Sequence, residues 1–169
     1  RDKRKEVYCY AESSDGVEWT RPSLGIIEFD GSTDNNIILD DVPAVHNFTP
    51  FKDQNPSCKP DEKYKAVGGN SKGLIAYKSI DGIHWDKMSE TPIITDGYFD
   101  SQNLIFWDTL RGEYREYHRD FLGKSRGRDI KTAVSSNFLD WPDPVWLNYS
   151  PGRVSELYTN QVIPYYRAP

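Results

Sequence analysis

Ser79-Ile-Asp-Gly-Ile-His-Trp85 is the stretch that decides the fold, because its pattern occurs three times along the chain. It occurs first as Ser13-Ser-Asp-Gly-Val-Glu-Trp19 and again, in degenerate form, as Ser135-Ser-Asn-Phe-Leu-Asp-Trp141. Each copy follows a short run of residues typical of a β-strand. An Asp-Gly pair suits a tight hairpin turn because glycine tolerates positive φ. The pattern therefore predicts a repeated hairpin, with the tryptophan packed between neighbouring repeats.

A second marker keeps the same register as the hairpin pattern. Asn47, Asn103 and Asn160 each precede an apolar run, and they lie 56 and 57 residues apart. Between the markers, short strands alternate with turns rich in Gly, Asp, Asn and Pro, which is typical of all-β proteins. A unit of about 50 residues with four strands is the size of a β-propeller blade.

The fold class predicted from these repeats is therefore all-β, a partial β-propeller that forms a single domain over residues 1–169. The blade units are expected at roughly 1–44, 45–98 and 99–155, with the start of a further unit at 156–169. Propellers close with four to eight blades, so we expect about three blades in this chain and a ring completed by other sequence.

Composition narrows the possible partners. The net charge is −5 and the isoelectric point is about 5.2, which argues against nucleic acid or an anionic membrane surface as a partner. No apolar run approaches the roughly 20 residues of a membrane-spanning helix, so no membrane partner is expected. Two cysteines and three scattered histidines do not supply a zinc site, and neither a metal nor a cofactor is predicted. The oligomeric state stays open.

Candidate catalytic residues follow from the geometry of a propeller, whose innermost strands line a central channel. Asp100 and Glu156 are acids at equivalent strand starts of adjacent units, and Asp120 closes the second strand of the middle unit. Carboxylates around an aromatic-lined pocket are typical of glycoside hydrolysis, where one acid donates a proton and another acts as nucleophile or base. The alternative for each is a turn residue, a partner of a neighbouring arginine or a solvated side chain.

Candidate substrate-binding residues lie at the same strand starts. Arg119 would keep Asp120 ionised, and the Tyr158 ring could stack on a sugar. The recurrence of the asparagines also favours a structural role, in which their side chains bond the backbone of the neighbouring unit. The full predicted set is His46, Asn47, Gln102, Asn103, Arg119, Tyr158 and Asn160.

Several stretches resemble one group of proteins. They are Tyr10-Ala-Glu-Ser-Ser-Asp-Gly-Val-Glu-Trp-Thr-Arg-Pro22, His46-Asn-Phe-Thr-Pro-Phe51, Phe99-Asp-Ser-Gln-Asn103, Tyr117-His-Arg-Asp120 and Leu157-Tyr-Thr-Asn160. Together they resemble five-bladed β-propeller proteins of the glycoside hydrolase family 32 and 43 type, in particular uncharacterised bacterial proteins of the family 32 type. The resemblance covers essentially the whole chain.

The resemblance implies a glycosidase acting on an oligo- or polysaccharide. It implies Asp100 as nucleophile or base, Asp120 as transition-state stabiliser and Glu156 as acid. Arg119-Asp120 is similar to an Arg-Asp-Pro signature of invertase-like enzymes, although Phe121 stands at the proline position. The resemblance, rather than any signal in the chain, implies a secreted or periplasmic location.

Two alternatives stay open at this stage. A non-catalytic carbohydrate-binding propeller would keep the aromatic residues and perform no chemistry. A sialidase-like protein would share the Ser-x-Asp-x-Gly-x-x-Trp type of turn, but the chain has no obvious arginine triad, which makes this the weakest of the hypotheses.

Overall fold

The computed structural model describes residues 5–40, 46–123, 127–149 and 156–165. These residues form ten β-strands and a short 3-10 helix at Pro60–Glu62, so the predicted all-β class is confirmed. The strands are β1 Tyr8–Cys9, β2 Ile37–Leu39, β3 Thr49–Lys52, β4 Tyr64–Asn70, β5 Gly73–Ser79, β6 Asp86–Lys87, β7 Leu104–Asp108, β8 Glu113–Phe121, β9 Arg128–Ser135 and β10 Val145–Trp146.

The strands form three antiparallel sheets. The first sheet pairs β1 with β2, the middle sheet has the order β3-β4-β5-β6, and the last sheet has the order β10-β9-β8-β7. In the two larger sheets each strand pairs with its neighbour in sequence, which matches the four strands predicted per unit. A propeller remains a proposal for the larger assembly, and the unit boundaries predicted near residues 44 and 155 lie outside the described residues.

Some predicted strand limits were wrong. The second strand of the middle unit, predicted to close at Asp120, continues one residue further to Phe121, which pairs with Arg128 across the β8–β9 ladder. Asp120 thus lies one residue before the end of β8. The strand before the first copy of the turn is reduced to the two residues of β1.

The repeated hairpin turn has the same hydrogen bonds in each copy. The Asp81 carboxylate accepts the backbone N–H groups of Ile83 and His84 at 2.8 and 2.9 Å. The Asp15 carboxylate accepts two N–H groups in the same way, as does the side-chain oxygen of Asn137. An acceptor oxygen two residues before these donors is what Asp and Asn share, and it explains why both occur at this position.

The tryptophans of the turns differ in their packing. Trp85 packs on a cluster that includes Leu39 of the first sheet and Tyr77 of the middle sheet. Trp141 packs on a second cluster, formed between the middle and last sheets. These two lie between neighbouring units as predicted, whereas Trp19 is 61% exposed.

A buried polar cluster also joins the middle and last sheets, and we call it the Lys65 cluster. Lys65 Nζ lies 2.5 Å from Asp53 Oδ2 and 3.1 Å from the Tyr114 hydroxyl. The same Tyr114 hydroxyl donates to Asp53 Oδ2 at 2.6 Å. Each member bonds the other two, and Asn55 Nδ2 also donates to the Tyr114 hydroxyl at 3.2 Å, so the cluster is a connected hydrogen-bond network.

Within the described residues, no helix is both long enough and apolar enough to cross a membrane.

Candidate functional site

Charged side chains converge where β8 ends and β9 begins. The β8–β9 ladder places Asp120 opposite Asp129 and Phe121 opposite Arg128. The segment leading into β7 lies beside this end of the sheet, since the Tyr98 N–H donates to the Arg119 carbonyl at 3.0 Å. We call the charged group here the Arg119 cluster. Its members are Asp96, Asp100, Arg119, Asp120, Arg128, Lys131 and Glu156.

Arg119 lies at the centre of this cluster. Its side chain is 1% exposed and its Nη2 atom forms an ion pair with Asp100. The guanidinium also lies over the aromatic rings of Tyr98, Phe121 and Tyr158, at 5.3, 5.6 and 4.5 Å from their centres. Within the part of the chain that the structure describes, Arg119 Nε and Nη1 have no hydrogen-bond partner. Burying such donors costs stability.

Glu156 and Tyr158 approach the cluster from the segment that follows the last sheet. Glu156 Oε1 forms an ion pair with Arg128. The Arg128 guanidinium lies 5.0 Å from the centre of the Tyr158 ring, whose other cationic neighbour is Arg119. The Tyr158 carbonyl also accepts the Ser101 hydroxyl at 3.3 Å. Asp100 and Glu156, predicted to share a site, are thus linked through two arginines and one exposed aromatic ring.

Lys131 and Asp96 belong to the cluster although the sequence analysis missed them. Lys131 Nζ lies 2.7 Å from Asp120 Oδ2 and 2.7 Å from Asp96 Oδ1. Burial lowers the pKa of Lys131, but the hydrogen bonds to Asp120 and Asp96 outweigh it, so the pKa is raised. Lys131 lies two residues after Asp129 on the same strand, so the two side chains share one face of the sheet. Two charged residues spaced in this way were a sequence signal of a polar inner face. Asp96 had no such signal, because it lies in a loop.

Each of the three predicted catalytic acids therefore has a different cation as its partner. Asp100 pairs with Arg119, Asp120 with Lys131, and Glu156 with Arg128. None of the three lies in the apolar enclosure that a general acid uses. The arrangement suits carboxylates that act as bases, nucleophiles or fixed negative charges.

The predicted substrate-binding asparagines bond backbone carbonyls. Asn47 and Asn103 both donate to the Phe99 carbonyl, the former across two sheets. Asn160 donates to the carbonyls of Gln102 and Tyr117, both at 3.3 Å. The bonds of Asn47 and Asn160 join neighbouring predicted units, which is the structural role that the recurrence favoured, whereas the Asn103 bond stays within one unit.

His46 and Gln102 occupy separate surroundings. His46 Nδ1 lies 3.1 Å from Glu6 Oε2, and both side chains are more than half exposed. The Gln102 side-chain oxygen accepts a hydrogen bond from Gln161 on the surface. Neither contact involves an acid of the Arg119 cluster.

A cavity of about 890 Å³ lies beside the first strands of the middle and last sheets. Its lining includes the rings of Phe51, Phe106, Trp107, Tyr117 and Tyr165. Tyr117 lies two residues before Arg119 on β8, so this aromatic cavity and the Arg119 cluster share one strand. Among the described residues, no group of at least three His, Cys, Asp or Glu side chains is placed to hold a metal ion.

Comparison with known proteins finds a solved structure with a similar fold. No family profile and no curated protein matches the sequence. The fold is similar to the crystal structure of an N-acetylgalactosamine deacetylase from F. plautii in complex with blood group B trisaccharide, with a TM-score of 0.51 and 17% identity. The match covers 82% of this chain and 44% of that chain, so this chain spans less than half of the deacetylase structure.

At this identity the shared property is the fold. The chain thus has an all-β fold that also occurs in a carbohydrate-modifying enzyme. This likeness shows the fold alone, so any function has to be argued from the chemistry of the site.

Proposed function

We propose that this chain is part of a β-propeller enzyme that hydrolyses glycosidic bonds in an oligo- or polysaccharide. The observation that carries the proposal is that Arg119 and Arg128, the ion-pair partners of Asp100 and Glu156, both lie against the Tyr158 ring. Carboxylates beside an exposed aromatic face suit a sugar, whose ring stacks on the aromatic group while its hydroxyl groups bond the charged ones.

The residues take the following roles in this proposal. Asp100 is the nucleophile or base, and Arg119 holds it in place. Asp120 is the fixed negative charge that stabilises an oxocarbenium-like transition state, and Lys131 positions it. Glu156 is the proton donor, a role that requires its carboxylate to leave Arg128 and take up a proton from solvent before it donates to the leaving oxygen. Tyr158 and Tyr98 are the stacking surfaces.

Deacetylation of an N-acetylated sugar is the second candidate function. The observation that favours it is the fold shared with the N-acetylgalactosamine deacetylase. The same carboxylates would then act on an amide rather than on a glycosidic bond. The two reactions give different products, acetate in one case and a new reducing end in the other.

The test uses the intact protein and a panel of neutral and N-acetylated glycans. New reducing ends, released acetate and bound glycan are measured in parallel. The variants are D100N, D120N and E156Q, each of which keeps the shape of the side chain. D61N is the matched control, because Asp61 is an exposed carboxylate that pairs with Lys78 at 2.6 Å outside the cluster.

We expect wild type and D61N to release new reducing ends, and the other variants to lose roughly 100-fold or more of that rate. Acetate release without new reducing ends would replace glycosidase by deacetylase. Binding without either product would show a carbohydrate-binding propeller. Full hydrolysis by all of D100N, D120N and E156Q would overturn the assignment of the site.

A further inference from the structure

Glu116 and His118 are two ionisable residues that the proposed chemistry does not use. They lie two positions apart on β8, so their side chains share one face of the sheet. Their side chains are 1% and 0% exposed, and His118 Nδ1 lies 2.7 Å from Glu116 Oε2. Such a pair gives little stability unless every polar atom is bonded. Among the described residues, Glu116 Oε1 has no hydrogen-bond partner, so the pair is not optimised for stability.

The other ring nitrogen of His118 reaches into the loop before β7. His118 Nε2 lies 3.0 Å from the Asp96 backbone carbonyl, which accepts only, so Nε2 carries a proton and donates it. The second nitrogen and Glu116 then share a further proton. Burial raises the pKa of Glu116, although the hydrogen bond to His118 opposes it. The imidazole orientation is thus fixed at both nitrogens.

The imidazole also fixes the next residues of the loop by contact. A Cβ on Gly97 would lie 2.4 Å from His118 Cδ2 and Nε2, so the backbone passes directly against the imidazole. The Phe99 ring centre lies 4.9 Å from the imidazole centre, and Phe99 itself is fully buried. His118 therefore holds this loop at three of four successive residues, from Asp96 to Phe99.

The loop that His118 holds is the one that brings three side chains to the Arg119 cluster. Asp96 contacts Lys131, Tyr98 lies against Arg119, and Asp100 pairs with Arg119. A shift of Asp96 also reaches Asp120, because both carboxylates share the Lys131 ammonium at 2.7 Å. The position of the His118 imidazole is thus coupled to the positions of Asp100 and Asp120, two of the proposed catalytic acids.

We propose that His118, oriented by Glu116, is a positioning residue that sets the placement of Asp100 and Asp120 through the Asp96–Phe99 loop. It touches no substrate and acts through the loop and Lys131. This inference rests on the proposed function for its effect on rate. The coupling between His118 and the acids stands on the contacts alone and is measurable without a substrate.

The kinetic test compares H118L, which removes both hydrogen bonds, with H118Q, which keeps an N–H donor near the Nε2 position. H84L is the matched control, because His84 is an exposed histidine that bonds Asp81 at 2.8 Å in the repeated turn. On a glycan that the intact protein hydrolyses, we expect H118L to lower kcat about 100-fold with KM changed less than about threefold. H118Q recovers part of kcat, and H84L matches wild type.

The substrate-free test measures the carboxyl carbon-13 chemical shifts of Asp96 and Asp120 by NMR at one fixed pH. We expect H118L to move both chemical shifts, because both carboxylates contact Lys131 and Asp96 lies in the loop that His118 holds. H84L leaves them at their wild-type values. This measurement separates the two proposals, because it reads the coupling even when no glycan is hydrolysed. If H118L does not fold, G97A serves instead, since its added Cβ presses on the same imidazole.

Two results would overturn the inference. One is an H118L variant with wild-type kcat and wild-type carboxyl chemical shifts of Asp96 and Asp120, whatever its melting temperature. The other is equal loss of kcat in H118L and H118Q in proportion to their loss of folded protein. Movement of these chemical shifts in H118L without any glycan turnover by wild type would keep the positioning role and reject the glycosidase.

Discussion

The Lys65 cluster and the Arg119 cluster are two groups of charges at different places in the same pair of sheets. In the Lys65 cluster the charged side chains of Lys65 and Asp53 are at most 3% exposed, and each member bonds the other two. In the Arg119 cluster the acids are exposed by up to about half, as with Glu156 at 48%, while Arg119 retains buried donors without partners. The first arrangement favours stability and the second favours binding.

A comparison of matching positions in the two large sheets supports this contrast between the clusters. Lys131 lies opposite His118 in the last sheet, and the residues at the corresponding place in the middle sheet are Ile75 opposite Gly68. At this position the β8–β9 ladder carries charge and the β4–β5 ladder does not, although Lys65 and Lys78 face each other elsewhere in the latter. A charged pair at this position is not required to form the ladder, which supports a role in function.

The largest expected loss of stability follows from a substitution in the Lys65 cluster. K65M leaves Asp53 buried without its cation, so we expect a loss of about 3–5 kcal/mol in the free energy of unfolding. Urea unfolding measures it. The matched control is K78M, which breaks the exposed pair with Asp61 and is expected to cost less than about 1 kcal/mol. Equal losses in the two variants would show that the buried Lys65 cluster contributes no more stability than an exposed ion pair.

A smaller loss of stability is expected when the pH is raised into the alkaline range. Burial raises the pKa of Tyr114 to about 12, and its hydrogen bond to Asp53 adds to the rise. Burial lowers the pKa of Lys65, but its hydrogen bonds to Asp53 and Tyr114 outweigh this, and the pKa is raised. A raised folded-state pKa gives stability that is complete below the unfolded value and lost as the pH rises through the folded value.

We therefore expect the free energy of unfolding to fall by about 2 kcal/mol between roughly pH 10 and pH 12. Urea unfolding at several pH values measures this slope. Y114F removes one of the two titrating groups and is expected to reduce this slope, with Lys65 supplying the remainder, although the stability of Y114F at neutral pH is lower. A wild-type slope in Y114F would show that other groups cause the alkaline loss.

The smallest expected change in stability comes from the centre of the Arg119 cluster. R119M removes a buried cation whose Nε and Nη1 atoms lack partners in the described residues. We expect its free energy of unfolding to stay within about 1 kcal/mol of wild type, with glycan processing lost. Urea unfolding and the glycan assay measure the two quantities. A loss as large as that of K65M would place Arg119 with the structural charges.

The fold was largely predictable because its signals are local. The Ser-x-Asp/Asn-x-x-x-Trp pattern predicted three turns whose hydrogen bonds span two or three residues, as with Asp81 and Ile83. The four strands per unit followed from turn residues alone. The extension of β8 to Phe121 was missed, because it depends on pairing with Arg128 across the ladder rather than on residue pattern.

The site was less predictable, for a physical reason. The geometry of a propeller indicated Asp100, Asp120 and Glu156, but not the cation that each one contacts. Those partners come from side-chain reach across strands and loops, as with Lys131, which lies 35 residues from Asp96. Burial of His118 and Glu116 was likewise invisible in a stretch that reads as polar.

The asparagine link between sheets has a consequence for the order of folding. Each large sheet is a meander whose strands meet their neighbours in sequence, so it forms from contacts that close short loops. The bond from Asn47 to the Phe99 carbonyl instead joins residues 52 apart and requires both sheets. Docking of the two sheets therefore closes a longer stretch of chain than formation of either sheet, and we expect the Asn47 bond to form with docking.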